Sequence, residues 1–506
     1  MAAKPVGPIA LLLLAVASLG AGPAIRYAED RAPTIVNPLF STTMAEVRLD
    51  ELLFEGLFAD DFELRSVPRL AERIDASADH KSAIVTLRPG VTWHDGQPFR
   101  ASDVVFTIEA MRDPKTASPE AGRVSFVESV EARGDLSVLL TFKRPESSPE
   151  DKLHFKILPA AAFDGNPAVD RGHMFRLHPI GTGPYKVLGF NEDGSIQLGR
   201  NSAYRKPATI PELVMREVTD KAYQTKLMIY ESLEALVRVM PRDLATLQAD
   251  RRMTLYPYQT NSWWYVGFDQ TDPVLGQPQV REALTTLIDV DNLLAPIGTG
   301  SRVSGPYVPS SPFYNHDVAL IQPDADRAAA LLREAGFTQD SRGWTDSAGR
   351  PLRLRLAAQG NYEVAQDLVI NLQSQFARHG ITLDPEFLGP AEWKKKVWTD
   401  HDFDLVLSTW SFDRNEDIRE QFHSRGTRNL LRYNNPAVDA LLDVARDATD
   451  PILKKAQMRK VHALISADDP MVFLFTLDSW AAISSKVGHV TVHPFSFFTW
   501  VNTWTM

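Results

Sequence analysis

The chain has 506 residues and no cysteine, which excludes disulfides, thiolate metal sites, cysteine nucleophiles and lipid attachment to an N-terminal cysteine. Its 54 Lys and Arg residues against 64 Asp and Glu residues give a net charge of −10, which argues against a nucleic-acid binder. With 44% apolar and 9% aromatic residues the chain can bury enough surface to fold, and its length predicts about three structural units, or two lobes with a subdomain.

The first thirty residues have the layout of an export signal. Lys4 precedes an apolar run over residues 9–16, and small residues follow over 17–22. The apolar run is shorter than the roughly 20 residues that a membrane-spanning helix needs. We therefore expect residues 1–24 to be a signal peptide, cleaved near Ala21 to Ala24. The mature protein should then be soluble in an exported compartment, most simply a periplasm.

Next comes a segment, residues 55–170, that differs from the remainder of the chain. Short strands broken by Pro and Gly surround one helix over about 102–111, and we interpret the segment as an inserted subdomain. Further helices are predicted at 280–288 after Pro278 and at 324–335, where Gly336 ends the helix. Asn435 and Pro436 form the start of another helix, with Asn435 as its cap.

A strand–helix–strand–helix–strand unit lies between these helices. Strands are predicted at 352–356, 381–383 and 403–409, because apolar residues alternate or run together there. Apolar residues four apart predict a helix over 364–376, and residues 391–398 also have a helical pattern. Short links between these elements indicate a largely parallel sheet covered by helices, and hence the α/β class.

Several blocks of the sequence together resemble one protein family. TLRPGVTWHDGQPF at residues 86–99, followed by ASDVVF at 101–106, resembles the signature of the family 5 solute-binding proteins of ABC importers, the dipeptide, oligopeptide and nickel class. Supporting blocks follow in the family's order, at residues 34–40 with 55–57, 68–72, 181–185, 280–284 with 288–289, 331–336 and 433–442.

The resemblance implies a two-lobed periplasmic-binding-protein fold of the large type II class. Lobe I would comprise residues 25–54, 171–265 and 485–506, with residues 55–170 as its inserted subdomain, and lobe II would comprise residues 266–484. The two lobes would close around a ligand. GTGP at residues 181–184 is interpreted as a tight turn, because it lacks the Lys-Ser/Thr of a phosphate loop and precedes a strand.

The function that the resemblance implies is capture of a small solute, most simply a short peptide, and its delivery to an ABC permease in the inner membrane. We expect a monomer that catalyses nothing and needs no cofactor or metal. A non-peptide ligand on the same scaffold, such as a sugar-like or opine-like compound or a metal chelate, is the first alternative. A secreted hydrolase is the second, although the sequence has neither HExxH nor GxSxG.

The first candidate wall of the ligand site begins at Trp410. Residues 410–413 match the family pattern W-x-x-D, so Asp413 corresponds to the aspartate that holds the ligand's α-amine in peptide binders. Asp413 is also suited to cap a helix through Gln421, with Glu416 completing a capping box, and the two roles are compatible. After Asp413 the chain lacks the aromatic residue and the Pro that peptide binders often have.

A second candidate wall is the aromatic strand at residues 261–269. Alternation along a strand sends Trp263 and Tyr265 to one face and Trp264 to the other, and either set is suited to contact a ligand. Arginines at 419, 425 and 428 are suited to bind a carboxylate or to lie on a solvated face. We therefore predict ligand contacts at Asp413, Trp410, Trp263, Trp264, Tyr265 and Arg419.

Overall fold

The computed structural model describes residues 23–259, 262–360, 363–412, 416–494 and 496–506. The predicted signal peptide over 1–24 lies outside these residues, except for its last two positions. In chain order the strands are β1 (Ala24–Glu29), β2 (Phe58–Asp60), β3 (Ser66–Pro68), β4 (Ala71–Ala76), β5 (Ser82–Leu87), β6 (Val127–Ala132), β7 (Ser137–Phe142), β8 (Tyr185–Phe190), β9 (Ile196–Arg200), β10 (Glu212–Glu217), β11 (Ala235–Leu236), β12 (Met253–Gln259), β13 (Ser262–Phe268), β14 (Gly300–Arg302), β15 (Thr338–Asp340), β16 (Gly343–Thr345), β17 (Arg353–Gln359), β18 (Thr382–Leu388), β19 (Leu405–Ser411), β20 (Met471–Phe473) and β21 (Phe475–Ser484).

The helices pack on and between these strands. In chain order they are α1 (Met44–Leu53), α2 (Ala101–Arg112), α3 (Lys221–Ile229), α4 (Leu244–Ala249), α5 (Pro278–Thr286), α6 (Val290–Leu294), α7 (Ala325–Glu334), α8 (Glu363–Arg378), α9 (Pro390–Trp393), α10 (Arg419–Phe422), α11 (Pro436–Asp447) and α12 (Pro451–Asp468). The predicted cap of α11 is confirmed, because the Asn435 side chain accepts hydrogen bonds from the backbone N–H groups of Ala437 and Val438. The helical pattern over 391–398 becomes α9 and a π-helical turn, Lys394–Thr399.

Two large sheets organise the fold. The first has the order β12-β21-β11-β1-β10-β9-β8, with β14 added to β21. The second has the order β18-β17-β19-β13-β20. Its β17, β18 and β19 are parallel, as the strand–helix–strand pattern predicted. β13 and β20 are antiparallel to their neighbours. β13 enters this sheet directly from the first one, and β20 follows α12 and leads directly back to the first one.

The chain passes between the two sheets at two neighbouring places. β12 of the first sheet is followed by β13 of the second, and β20 of the second is followed, after Leu474 alone, by β21 of the first. β13 pairs with β20, and β12 pairs with β21, so the two passages run side by side in opposite directions. The lobe limits at 265/266 and 484/485 stay predictions.

The segment interpreted as an inserted subdomain contains an antiparallel sheet of order β4-β5-β7-β6, with α2 packed on it. Asp103, in the first turn of α2, connects this helix to the chain segments before and after it. Its carboxylate accepts hydrogen bonds from the backbone N–H groups of Arg100 and Ala160, at 2.9 Å each, and from the indole of Trp93 at 3.2 Å. Trp93 is itself buried in the core.

His94 joins two blocks of the family signature that are far apart in the sequence, residues 86–99 and 181–185. Its Nδ1 accepts the backbone N–H of Gly181 at 3.1 Å, and its Nε2 donates to the carbonyl oxygen of Gly183 at 3.1 Å. A Cβ atom at Gly181 would lie 1.8 Å from the carbonyl oxygen of Leu53, so only glycine fits this turn. Burial lowers the pKa of His94 to about 4, so the neutral imidazole holds the turn at neutral pH.

Among the residues that the structure describes, no helix is both long and apolar enough to cross a membrane.

Candidate ligand-binding site

The five-stranded sheet has an apolar core on each face, and β13 contributes to both. Trp263 and Tyr265 are buried in one core, with Phe473 of the neighbouring strand. Trp264 packs against the other core, which contains Val266. The alternation predicted from the sequence is therefore confirmed, and it separates Trp264 from the other two aromatic residues.

A cavity opens on the face that carries Trp263. It is small, with a volume of about 20 Å³, and we call it the aromatic cavity. Its lining residues are Trp263, Tyr265, Trp410, Gln421, Phe422, Arg428, Asn429, Leu430, Leu431, Tyr433 and Met471. Three of the residues predicted to contact ligand meet here, because Trp263 of β13 lies directly opposite Trp410 of β19.

Most polar groups of the aromatic cavity already have hydrogen-bond partners. The Tyr433 hydroxyl donates to Asp468 at 2.5 Å, and burial raises the pKa of Tyr433 well above its ordinary value. Burial also raises the pKa of Tyr265 to about 12, against the opposing effect of a hydrogen bond with Ser408. These two hydroxyls are therefore neutral groups with a fixed orientation.

The two amide side chains of the cavity are also satisfied. Asn429 donates to the carbonyl oxygens of His423 and Tyr433, and its own oxygen accepts the backbone N–H of Tyr433. Gln421 is oriented with its oxygen accepting from the Trp410 indole at 3.0 Å and its nitrogen donating to the carbonyl of Ile418 at 3.1 Å. Gln421 therefore links α10 to β19, and Asn429 fixes the shape of the loop that follows α10.

Arg419, predicted to contact ligand, does not line the aromatic cavity. Its guanidinium donates to Asp443 of α11 at 2.8 Å. That hydrogen bond is the main reason why the pKa of Asp443 lies below its ordinary value. Arg419 therefore anchors α10 to α11 in this structure, and its contact with ligand stays a prediction, as does that of Trp264.

Asp413 lies outside the described residues, so its predicted role as amine anchor is untested. The alternative prediction was that Asp413 caps a helix running through Gln421. This helix is wrong over residues 416–418, because α10 begins only at Arg419, with Ile418 at its N-cap. Glu416 has a left-handed backbone with φ of 49°, and its buried carboxylate accepts a hydrogen bond from Ser311. This conformation does not fit the third position of a helix.

Sequence reasoning missed most of the cavity's apolar wall. Leu430, Leu431, Tyr433 and Met471 lie on a loop and a short strand, where no periodicity marks them. The sequence indicated the site only through the aromatic strand at 261–269 and through the three arginines at 419, 425 and 428. Of those arginines only Arg428 lines the cavity.

An ion pair joins the segment interpreted as an inserted subdomain to the helix beside the site. Arg144, two residues after β7, donates to Asp447 at the end of α11 at 3.0 Å. Both side chains are about half exposed, at 55% and 48%. Asp447 also accepts from Arg446, so the contact is part of a small charge network.

Comparison with known proteins gives consistent results. Residues 65–426 match the family described as bacterial extracellular solute-binding proteins, family 5. The chain is 24% identical over 482 residues to the oligopeptide-binding protein AppA of Bacillus subtilis, covering 91% of this chain and 88% of that protein. It is 26% identical over 484 residues to the glutathione-binding protein GsiB of Pectobacterium atrosepticum, covering 92% and 90%.

Solved structures have the same fold. The structure of Bacillus subtilis AppA in complex with a nonapeptide matches with a TM-score of 0.80 at 22% identity, covering 96% of this chain and 99% of that one. NikA of Brucella suis in complex with Fe(III)-EDTA matches with a TM-score of 0.87 at 19% identity, covering 96% and 100%. The two-lobed α/β fold expected from the sequence is thus confirmed.

Proposed function

The chain belongs to the family 5 bacterial extracellular solute-binding proteins, and we propose that it captures a short peptide between two lobes and delivers it to the permease of an ABC importer. The observation that carries this proposal is the pair of sheets, each with its own core, joined by two neighbouring chain passages. Two bodies connected in this way can close around a solute, and each solute contact made only in the closed state stabilises that state.

A peptide is the favoured solute for two reasons. The relatives that the chain matches over about nine tenths of its length are named for binding oligopeptides and glutathione, which is itself a peptide. The residues around the aromatic cavity offer flat apolar surface with a few polar groups, a combination that side chains of varied shape can contact. The proposal assigns no chemical reaction to the protein.

The proposal extends to location and partners. Residues 1–24 would direct export and be removed, and the mature monomer would work in the periplasm beside its permease. The sequence layout of a short apolar run followed by small residues supports this part. N-terminal sequencing of protein recovered from the periplasmic fraction tests it, and a mature chain that begins at Met1 would contradict it.

The central experiment is a binding screen with purified mature protein. The protein is first unfolded in guanidinium and refolded, so that co-purified solute is removed, and is then mixed with defined tri- to pentapeptides. Binding should raise the melting temperature by mass action and make the molecule more compact in small-angle scattering. Mass spectrometry should recover the peptide intact after prolonged incubation.

The outcomes distinguish the alternatives. Cleaved peptide in more than stoichiometric amounts would support the hydrolase alternative and refute pure binding. Thermal shifts with sugars, opines or metal chelates but with no peptide would keep solute capture and refute the peptide assignment. A single rigid shape with and without a bound solute would refute capture by closure.

A further inference from the structure

Helix α12 carries cations and no acidic residue along most of its length. From Pro451 to Ala467 the sequence contains three lysines and one arginine but no Asp or Glu. The acidic residue just before the helix, Asp450, is its cap and accepts the backbone N–H of Ile452. Because the chain as a whole has a net charge of −10, this helix is a local reversal of its charge.

One side of α12 is buried and the opposite side meets solvent. Met458, Val461 and Ile465 pack in the core that also contains Trp263. The solvent side consists of the exposed residues Ile452, Leu453, Lys455, Ala456 and Lys460 and the partly exposed Arg459, and we call these six residues the basic face of α12. Its two large apolar side chains, at the start of the helix, are 78% and 43% exposed.

The cations of the basic face are not neutralised within the chain. Among the described residues, the side chains of Lys455, Arg459 and Lys460 have no hydrogen-bond or ion-pair partner. The fourth cation of the helix, Lys454, lies against the ring of Phe313, 6.0 Å from its centroid. Cations without a neighbouring carboxylate leave a local positive field that attracts an anionic partner.

The composition of the basic face favours a lipid surface over a protein partner. Protein–protein interfaces are depleted in Lys and Ala and gain most of their energy from aromatic or Arg side chains seated in pockets. The basic face contains Lys455, Ala456 and Lys460 and no aromatic residue, and it is a convex ridge formed by one helix. Anionic headgroups attract each Lys or Arg that comes near a membrane, and exposed Ile or Leu side chains enter the interface beside them.

We propose that the basic face of α12 binds an anionic lipid surface reversibly, with Lys455, Arg459 and Lys460 on the headgroups and Ile452 inserted between them. Three cations and a few apolar atoms give a small membrane affinity, so the protein exchanges between the surface and solution. The contact orients the molecule with α12 toward the membrane. The inference goes beyond the proposed function, since it concerns a surface outside the candidate ligand site and does not depend on the solute.

The test is sedimentation of protein with vesicles. Mature protein is used, as in the binding screen, so that the apolar run over residues 9–16 is absent. One set of vesicles is pure phosphatidylcholine, and the other is an equal mixture of phosphatidylcholine and phosphatidylglycerol. The variants are Lys455→Gln with Lys460→Gln, Ile452→Ser, and the control Lys186→Gln with Lys206→Gln, which removes two exposed lysines elsewhere. Urea unfolding of each variant establishes that it is folded.

Wild type should partition onto the anionic vesicles about tenfold more strongly than onto the neutral ones, and about 1 M NaCl should remove the difference. Lys455→Gln with Lys460→Gln should lower the anionic partition coefficient about tenfold, because each cation near the surface contributes. Ile452→Ser should lower it about threefold, through loss of the inserted apolar side chain. The control should change it by less than about twofold, since its lysines lie away from α12.

Three results would overturn the inference. Equal partition of wild type onto both kinds of vesicle refutes binding to anionic lipid. Equal losses in the two double variants show that only total charge matters and refute the assignment to α12. Complete displacement from vesicles by soluble polyglutamate at equal charge concentration assigns the basic face to an acidic protein partner. Peptide affinity, measured in the same variants, should stay at the wild-type value, so a failure of solute capture is recognised separately.

Discussion

His94 provides a prediction in which pH reports on one local contact. The imidazole bridges the N–H of Gly181 and the carbonyl of Gly183, and burial lowers its pKa to about 4 from 6.5. Because the folded-state pKa is the lower one, His94 contributes its full stabilisation above pH 6.5. This contribution is lost as the pH falls through 4, because the proton binds more tightly to the unfolded chain.

The difference of 2.5 pKa units between 6.5 and about 4 corresponds to about 3 kcal/mol, and partial exposure of the ring reduces it to about 2 kcal/mol. His94→Gln retains a donor and an acceptor but does not titrate. The variant should be less stable than wild type by about 1–2 kcal/mol at pH 7.5, since the amide fits the turn less well. At pH 4 it should equal or exceed wild type in stability.

Urea unfolding measures the free energy of unfolding of wild type and of His94→Gln at pH 7.5 and at pH 4. The difference between the two proteins cancels the effect of the other titrating groups, so the change of this difference with pH reports on His94. His178→Gln is the matched control, because His178 is exposed and takes no part in this contact. A His94→Gln difference that is the same at both pH values would refute a neutral, structural His94.

Two further predictions concern the backbone packing at Gly181 and the ion pair of Arg144 with Asp447. Gly181→Ala should lower the free energy of unfolding in urea by about 3 kcal/mol or more, because the added Cβ would lie 1.8 Å from the Leu53 carbonyl oxygen. The control Gly122→Ala has open space around its Cβ and should lower it by less than about 0.5 kcal/mol. Equal costs would show that the turn can shift. Arg144→Glu should weaken peptide binding about two- to fivefold, because it replaces the exposed attraction between Arg144 and Asp447 by repulsion. The double variant Arg144→Glu with Asp447→Arg restores opposite charges and should restore binding. The effect should vanish in 1 M NaCl, and a loss that persists there would mean that Arg144 acts by another route.

The sequence predicted the family and the fold class correctly, because turn residues and apolar periodicity are local signals. Asn435 before Pro436 marks a helix start that the structure has at the same residue. The antiparallel direction of β13 and β20 was not predicted, because it depends on where the chain passes between sheets. No local pattern records that passage.

The candidate site was predicted only in part. The alternation of Trp263, Trp264 and Tyr265 follows from strand geometry and was correct. Which arginine lines the cavity could not be predicted, because the answer depends on tertiary contacts such as the pairing of Arg419 with Asp443 of α11. Such pairs form through tertiary packing, and no residue spacing in the sequence indicates them.

The two neighbouring passages between the sheets restrict how the halves of the molecule can move. The pairing of β12 with β21 and of β13 with β20 lies within one sheet each, so it keeps the two passages side by side when the sheets move as bodies. Leu474 alone links β20 to β21, so this passage allows bending but little stretching or sliding. Rotation about a single axis is therefore the least costly motion. A few degrees at this axis become several ångströms at the distant rim, so small backbone changes at Leu474 should alter how fast a solute enters and leaves.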